Sequence, residues 1–490
     1  MPASPIAHIR RALNAVASKT TISICAARHS RMSAAVTVIA MASAAVAAAV
    51  DTAPKAPAPI PPGHVLLSEE GSERATVGAG NMIVTVNGKT HVVWQAADPT
   101  NYKSMIRTLD RATGKWSEPV TLNQAKDNHA RPYLTVDGDG FLHVVTAGHG
   151  TPFTYVKSVQ PNDSTTWTKP VTFGAGTYPY LLAGPDGSLL LAARSDKWTG
   201  VDLYMMKHGE RWRKIRPLIL KREPQYKEYA GYNSVLQWGP GQRRLHFACD
   251  VYEGFGTYKL RGENQLVVHM YTDDLGATWH RADGTLIEGE PYPKNMDVLA
   301  GESRKRKDQM PEAAVRLGGM VVDATGRPFV LLTNDEEPER GKASLLTPAE
   351  GAGGGWKELG LHAALRKHAP ESGALGPAGG FTLTSAGVLQ MIIPVAPLKL
   401  WGISEKKGIP PGSTSYLWVE TADAGKTFAI KPAFPPGDGA ERNAPTLEKP
   451  TGFNRVADGV GTGMAYFEGL RRYRKENEII QTRVFYAEMK

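Results

Sequence analysis

Apolar and polar residues alternate in short runs through most of this chain, as in 82-MIVTVNGKTHVVW-94 and 181-LLAGPDGSLLLAA-193, with Gly, Asp, Asn and Pro between the runs. A period of two marks half-buried strands, and the separators are turn residues. Seven units, each opening with two such strands, begin near residues 82, 131, 178, 232, 313, 376 and 443. Most of them close with an aromatic residue and a short further strand, at Trp116, Trp167, Trp212, Trp279, Trp356 and Phe428. Seven repeats of about four strands predict an all-β fold, a seven-bladed β-propeller. The last unit is short of strands, with only 459-GVGTGMAYFEG-469 and 479-IIQTRVFYAEM-489 behind its first pair. The segment 64-HVLLS-68 is predicted to complete it, so that the N-terminal strand closes the ring on the last blade and removes exposed sheet edges. Two insertions, 288–312 (rich in Lys and Arg) and 397–412, break the period and are expected as loops over one face.

Two closings, 272-TDDLGATW-279 and 421-TADAGKTF-428, have the form of an Asp-box hairpin, in which Asp and Gly fix the turn and the aromatic packs between sheets. Outside the repeats the pattern changes. Residues 1–31 carry Arg10, Arg11, Lys19, Arg28 and Arg31 without an acid, and 33–50 are apolar with small-residue cleavage candidates. We read residues 1–50 as an export signal, with a retained membrane helix as the alternative. A Pro-rich linker at 51–63 leads to a catalytic domain at 64–490. Export to the periplasm or beyond the cell follows as an expectation. Without the signal the formal charge falls from +9 to +4, so most of the basic character belongs to the leader. Of the two cysteines, Cys25 lies in the leader and Cys249 inside the apolar run 245-LHFACDV-251, which predicts a buried thiol and no disulfide.

Candidate chemistry emerges when 132-PYLTVDGDGFLHVVTAGH-149 is set against 179-PYLLAGPDGSLLLAARS-195. Pro-Tyr-Leu and Asp-Gly fall in register without a gap. His129 and Tyr178 then sit just before the first apolar run of their repeats, and His149 and Arg194 just after the second. In a hairpin the start of the first strand and the end of the second share one side, so all four belong to one rim. Histidines, a phenol and a guanidinium on one rim suit acid–base chemistry on an anionic substrate. Tyr232 opens the fourth unit as Tyr178 opens the third, and either lines the same cleft or packs as a repeat residue.

These residues resemble a known family. The pattern DNHARPYLTVDGDGFLHVVTAGHG, followed by TYPYLLAGPDGSLLLAARS and an Asp-box blade, is similar to the BNR-repeat propellers that include the ulvan lyases of polysaccharide lyase families 24 and 25. In those lyases two histidines about twenty residues apart precede a tyrosine and an arginine sixteen apart, the spacing of His129, His149, Tyr178 and Arg194. The resemblance implies a secreted lyase that cleaves a uronate-containing, ulvan-like polysaccharide by β-elimination. It assigns proton transfer to the histidines and the tyrosine, and carboxylate neutralisation to Arg194. The basic 288–312 insertion is not part of that pattern, and the structural metal ion that the resemblance implies has no ligands placed here.

The chemistry is consistent with those residue types. β-Elimination removes the C5 proton of a 4-linked uronate, which requires its carboxylate to be neutralised, and then protonates the leaving O4. Arginine holds a carboxylate in two hydrogen bonds at any relevant pH, a histidine is the natural base near neutrality, and a phenol is a good acid. Either histidine can be the base in this scheme, and no cofactor is required. The expected partner is an anionic polysaccharide, with no nucleic acid and, after signal removal, no membrane; a monomer is expected. Blander readings apply elsewhere: His143 as a satisfied core histidine, Tyr180 as packing, 335-DEEPER-340 and 303-SRKRKDQ-309 as solvated loops. A sialidase-like glycoside hydrolase, prompted by the Asp boxes, and a non-catalytic glycan-binding propeller are the competing readings.

Overall fold

A computed structural model describes residues 59–490 apart from 78–79, 198, 222–227, 255–262, 302–314, 335–340, 351–354, 377–379, 401–411, 436–439 and 470–480. The leader, the first part of the Pro-rich linker, 303–309, 335–340, the 302–312 part of the first insertion and the 401–411 part of the second thus lie outside the described residues, while 297–301 of the first insertion form a strand rather than the expected loop.

Among the described residues the strands form four sheets, of nine, eleven, four and five strands, and are grouped in seven successive units along the chain. The first holds β2 (Ile83–Val86), β3 (Lys89–Ala97) and β4 (Tyr102–Asp110), with β5 (Lys115–Trp116) and β6 (Val120–Ala125) both on β4. The second runs β7 (Arg131–Val136), β8 (Leu142–Ala147), β9 (Thr151–Lys157) and the first half of β10 (Val171–Ala183). The second half of β10 opens the third unit, followed by β11 (Leu189–Ser195), β12 (Thr199–Met206) and β13 (Arg213–Lys221). The fourth is β14 (Glu228–Trp238), β15 (Leu245–Gly254), β16 (Glu263–Thr272) and β17 (Asp297–Gly301). The fifth is β18 (Val315–Val322), β19 (Pro328–Asn334), β20 (Lys342–Pro348) and β21 (Trp356–Leu359). In the sixth, β22 (Ser372–Ala374) and β23 (Gly380–Leu383) both pair with β24 (Leu389–Pro397), which leads to β25 (Ser415–Thr421) and β26 (Ala429–Pro432). The seventh is β27 (Arg442–Leu447), β28 (Thr462–Glu468) and β29 (Gln481–Met489), with β1 (His64–Ser72) antiparallel to β29 from His64↔Ala487 to Ser72↔Gln481.

The fold is therefore all-β and propeller-like, and the alternating sequence pattern is its cause. Along β11, Leu189, Leu191 and Ala193 pack in one cluster with strands of the second unit, while Leu190 and Ala192 pack in another with the fourth. Both faces are buried by neighbouring sheets, which suits continuous apolar strands. The innermost strands touch in succession: β2 and β7, β7 and β10, β10 and β14, β14 and β18, β18 and β23, β23 and β27, while β28 touches β2. One helix, α1 (Leu361–His368), departs from the strands-only expectation, and its Leu361 and Leu365 are buried four residues apart, one helical turn.

Where the innermost strands end, the segment 448–456 crosses between the units. Thr451 O accepts from Thr135 Oγ1 at 2.6 Å and from the Ala183 amide at 2.8 Å, and Pro450 O accepts from Gln237 Nε2 at 2.9 Å. Asn81 Oδ1 accepts the Lys449 amide at 3.0 Å, and the amides of Phe453, Arg455 and Ser385 bond to Val136 O, Thr85 O and Val456 O. Five units besides its own are thus tied to this one segment. It is buried at Glu448, Lys449, Thr451, Asn454 and Val456 and exposed at Phe453 and Arg455, and its backbone groups bond to the strand ends around it.

Candidate active site

At the opposite ends of those strands, the four rim residues come together. Asp127 organises the first two. Its Oδ1 accepts the His129 backbone N–H at 2.8 Å and the His129 Nδ1–H at 2.7 Å, while its Oδ2 accepts the His149 backbone N–H at 2.6 Å. The carboxylate fixes the histidine tautomer, because a carboxylate only accepts, so His129 keeps the lone pair on Nε2. Burial works to raise the Asp127 carboxyl, but these hydrogen bonds prevail and hold it well below the usual carboxylate range. The two imidazole centroids lie 4.8 Å apart.

Tyr178 enters from the third unit at a bulge. The register of β10 on β11 slips between Thr177 and Tyr180, and Tyr178 takes φ +54°, a left-handed conformation that a bulky residue rarely adopts. The bulge swings its ring over the rim, 5.8 Å from the His129 ring and 5.5 Å from that of Tyr232. The neighbouring inner strand β14 slips at the matching place, between Gly231 and Ser234, which carries Tyr232 into the same cluster. Its packing partner Tyr252 stands 5.5 Å away, and burial pushes the Tyr232 phenol up to about 12, against the pull of Arg194.

Arg194, near the end of β11, lies beneath these rings. Its Cζ is 4.9 Å from the Tyr178 centroid and 5.2 Å from that of Tyr232, and its Nη2 donates to His149 Nε2 at 3.0 Å. Only 1% of its surface is exposed, so the guanidinium is a buried charge roofed by aromatic faces rather than an open fork. Burial pulls its pKa down, and Tyr178 and Tyr232 oppose that. Both histidines are shifted below the ordinary imidazole value, His129 by burial with Asp127 opposing, and His149 by burial and the Arg194 charge.

All five predicted residues therefore share one site. Three neighbours were missed in the sequence. Asp127 stands two residues before His129, where an Asp ordinarily signals only a turn; Arg131 lies with its Cζ 5.6 Å from the Tyr178 centroid; Arg74 adds positive charge felt by both histidines. The residues set aside as packing behave so. His143 is buried between Tyr155 Oη at 2.8 Å and Asp137 Oδ2 at 2.9 Å, Tyr180 is buried in the core, and Cys249 is a free, buried thiol. The turns at 272–279 and 421–428 are built alike, with Asp274 and Asp423 accepting from Thr278 and Thr427, away from the rim cluster. Among the described residues no three His, Cys, Asp or Glu side chains are grouped to hold a metal ion, and no helix is long and apolar enough to cross a membrane.

Comparison with known proteins agrees with this architecture. The family model described as BNR repeat-containing family member matches residues 80–362. Among solved structures, a polysaccharide lyase of family PL25, an ulvan lyase, superposes with TM-score 0.61 at 15% identity over 86% of this chain and 95% of its own. A second structure of that enzyme holds a -[GlcA(1-4)Rha3S]- saccharide. The polysaccharide lyase Uly1 gives TM-score 0.52 at 12% identity, over 87% of this chain and 99% of its own. These likenesses establish a shared fold. No curated protein matches the sequence.

Proposed function

The chain belongs to the BNR repeat-containing family, and on that premise we propose that it is an exported polysaccharide lyase that cleaves a uronate-containing, ulvan-like polysaccharide by β-elimination. The observation that carries this reading is the convergence of His129, His149, Tyr178 and Arg194, from two loops and two strands, within 4.8–5.8 Å ring separations and a 3.0 Å hydrogen bond. The saccharide held by the similarly folded ulvan lyase supports an acidic, sulfated polymer as substrate.

The geometry favours His129 as the base. Its Nδ1–H is tied to Asp127, leaving Nε2 to take the C5 proton, while His149 Nε2 is occupied by Arg194. The C5 electron pair becomes the C4=C5 double bond, the C4–O4 bond breaks, and O4 takes the Tyr178 hydroxyl proton. Because Arg194 is buried, the uronate carboxylate reaches it from the exposed His149 side and replaces that imidazole as acceptor for Nη2. Ultraviolet absorbance of the conjugated unsaturated uronate tests the reading directly. Growth of that band with uronate polymers is expected, and reducing sugar released without it would point to hydrolysis instead.

The same reading takes the seven units as a closed ring with β1 as the clasp, and residues 1–50 as the export signal. The β1–β29 ladder and the contact of β28 with β2 support closure. Deleting 64–70 should then lower the melting temperature far more than deleting 51–58.

A further inference from the structure

A second groove lies beside the rim cluster, on the other face of the strand that carries Arg194. Consecutive strand residues point to opposite faces. Arg194 therefore joins Tyr178 and Tyr232 on one side of β11, and Ser195 lines a groove of about 550 Å³ on the other. The boundary between the second and third units is filled with apolar side chains over most of its height, Leu181, Leu189, Leu191 and Ala193 among them. At the rim end this filling gives way to the groove, because β10 crosses there from pairing with β9 to pairing with β11, slipping register between Phe173 and Gly176. Gly174, at φ +45°, makes the crossing; a Cβ there would stand 2.5 Å from the Tyr204 ring.

The lining has the chemistry of a carbohydrate site. Phe173 and Trp212 form a stacked aromatic wall, with centroids 4.4 Å apart and planes within 4°. Tyr204 and the carboxylate of Asp202, which is only 2% exposed, are at the floor, and Lys214 donates to Asp202 Oδ2 at 2.8 Å from above the Tyr204 ring. Asp196 and Lys197 stand exposed at the mouth, one and two residues beyond Ser195. Apolar ring faces for the C–H side of a sugar, with a few placed polar groups for its hydroxyls and anionic substituent, are what such sites require.

We propose that this groove is an accessory subsite that takes an anionic sugar unit of the polymer, one removed from the bond that is cut; the inference rests on the polysaccharide reading above. Strand β11 separates the groove from Arg194, because the side chains of Arg194 and Ser195 lie on opposite faces of the sheet. A single sugar unit seated in the rim cluster does not reach it, so the groove serves long chains and is indifferent to short ones.

The test is calorimetric binding of size-fractionated saccharides of the GlcA(1-4)Rha3S repeat to the full chain carrying Tyr178→Phe, which slows turnover during titration by roughly 10²–10⁴-fold. Affinity should rise about tenfold or more from disaccharide to octasaccharide. Trp212→Ala and, separately, Lys197→Glu should each remove most of that gain and leave disaccharide affinity unchanged. Lys197 is exposed, so its replacement keeps the test decisive even where loss of Trp212 disturbs packing. A length-dependent gain that survives Lys197→Glu, or no gain with length at all, overturns the proposal. Failure of the lyase reading shows differently, as absence of unsaturated product from the unsubstituted protein, and leaves the binding series to decide the groove.

Discussion

The two ends of the innermost strands are built on opposite plans. At the rim end, charged and titratable groups are crowded: a carboxylate under two imidazoles, a buried guanidinium under two phenol rings, and a tyrosine in a left-handed backbone conformation. At the other end, the 448–456 segment is woven into the surrounding strands by backbone and amide hydrogen bonds, with Asn81 donating to Leu134 O at 3.3 Å and Thr451 Oγ1 at 2.9 Å. One end holds backbone strain and crowded titratable groups, the usual mark of a functional site; the other supplies the satisfied contacts that over-determine it. Substitutions at the rim should therefore change rate with little change in stability, and substitutions at the sealed end should do the reverse.

The largest effect is expected from Tyr178→Phe, which removes only the hydroxyl. Elimination should fall by roughly 10²–10⁴-fold, measured as the initial rate of unsaturated-uronate formation, with the melting temperature nearly unchanged. Substantial remaining activity would take the acid role from Tyr178. Arg194→Lys comes next. It keeps the charge but loses the planar fork, and kcat/KM should drop by about 10²-fold; near-full turnover would remove carboxylate neutralisation from this residue.

Asp127→Asn probes positioning rather than contact with substrate. A loss of about 10–100-fold is expected, as for other partners that orient a reacting imidazole. The pH profile separates this from a structural defect. Neutral His129 is the competent form, and its lowered pKa places the acid limb below the ordinary histidine value near 6.5. Asp127 is the main group opposing that shift, so losing its charge should move the limb to still lower pH; an unmoved limb would dissociate Asp127 from the base.

At the sealed end, Asn81→Ala should lower unfolding free energy by about 1–3 kcal/mol, the cost of leaving buried partners unbonded, while kcat/KM stays within about twofold. A rate loss exceeding the stability loss would blur the division between the two ends. The smallest effect concerns Glu448, whose carboxyl burial pushes up to about 7 against hydrogen bonds from Asn454 and Thr85. A folded-state value above the unfolded one contributes stability that is complete below about 4.5 and fades as pH rises through 7. Denaturation midpoints measured across that window should show the parent losing ground to Glu448→Gln, by on the order of 1 kcal/mol; parallel profiles would contradict the assignment.

Much of the rim was legible because its residues are fixed by repeat register: His129, Tyr178, His149 and Arg194 stand at equivalent strand ends of two aligned units, and Tyr232 follows from the third. What was not legible depends on contacts that no local pattern records. Asp127 reads as a turn residue until both histidines are seen to hang from it. The burial of Arg194 follows from two bulges whose register slips leave no signature in the alternation of β10 and β14. The double use of β10 blurred the seam where the accessory groove opens, and the 448–456 segment reads as loop because its partners are as far away in sequence as Thr85 and Thr135. Helix α1 rests on two leucines spaced four apart, too short a pattern to stand out among strands.

The pairing of β1 with β29 also sets the order in which the protein can be completed. His64 is made more than four hundred residues before its partner Ala487, so β1 waits through that interval without the strand it will lie against. Contacts this distant in sequence form slowly, and a waiting strand is an open edge to any other chain. The vulnerable moment is the interval before β29 arrives, and protection of residues 64–72 during that interval is what production of the protein should depend on.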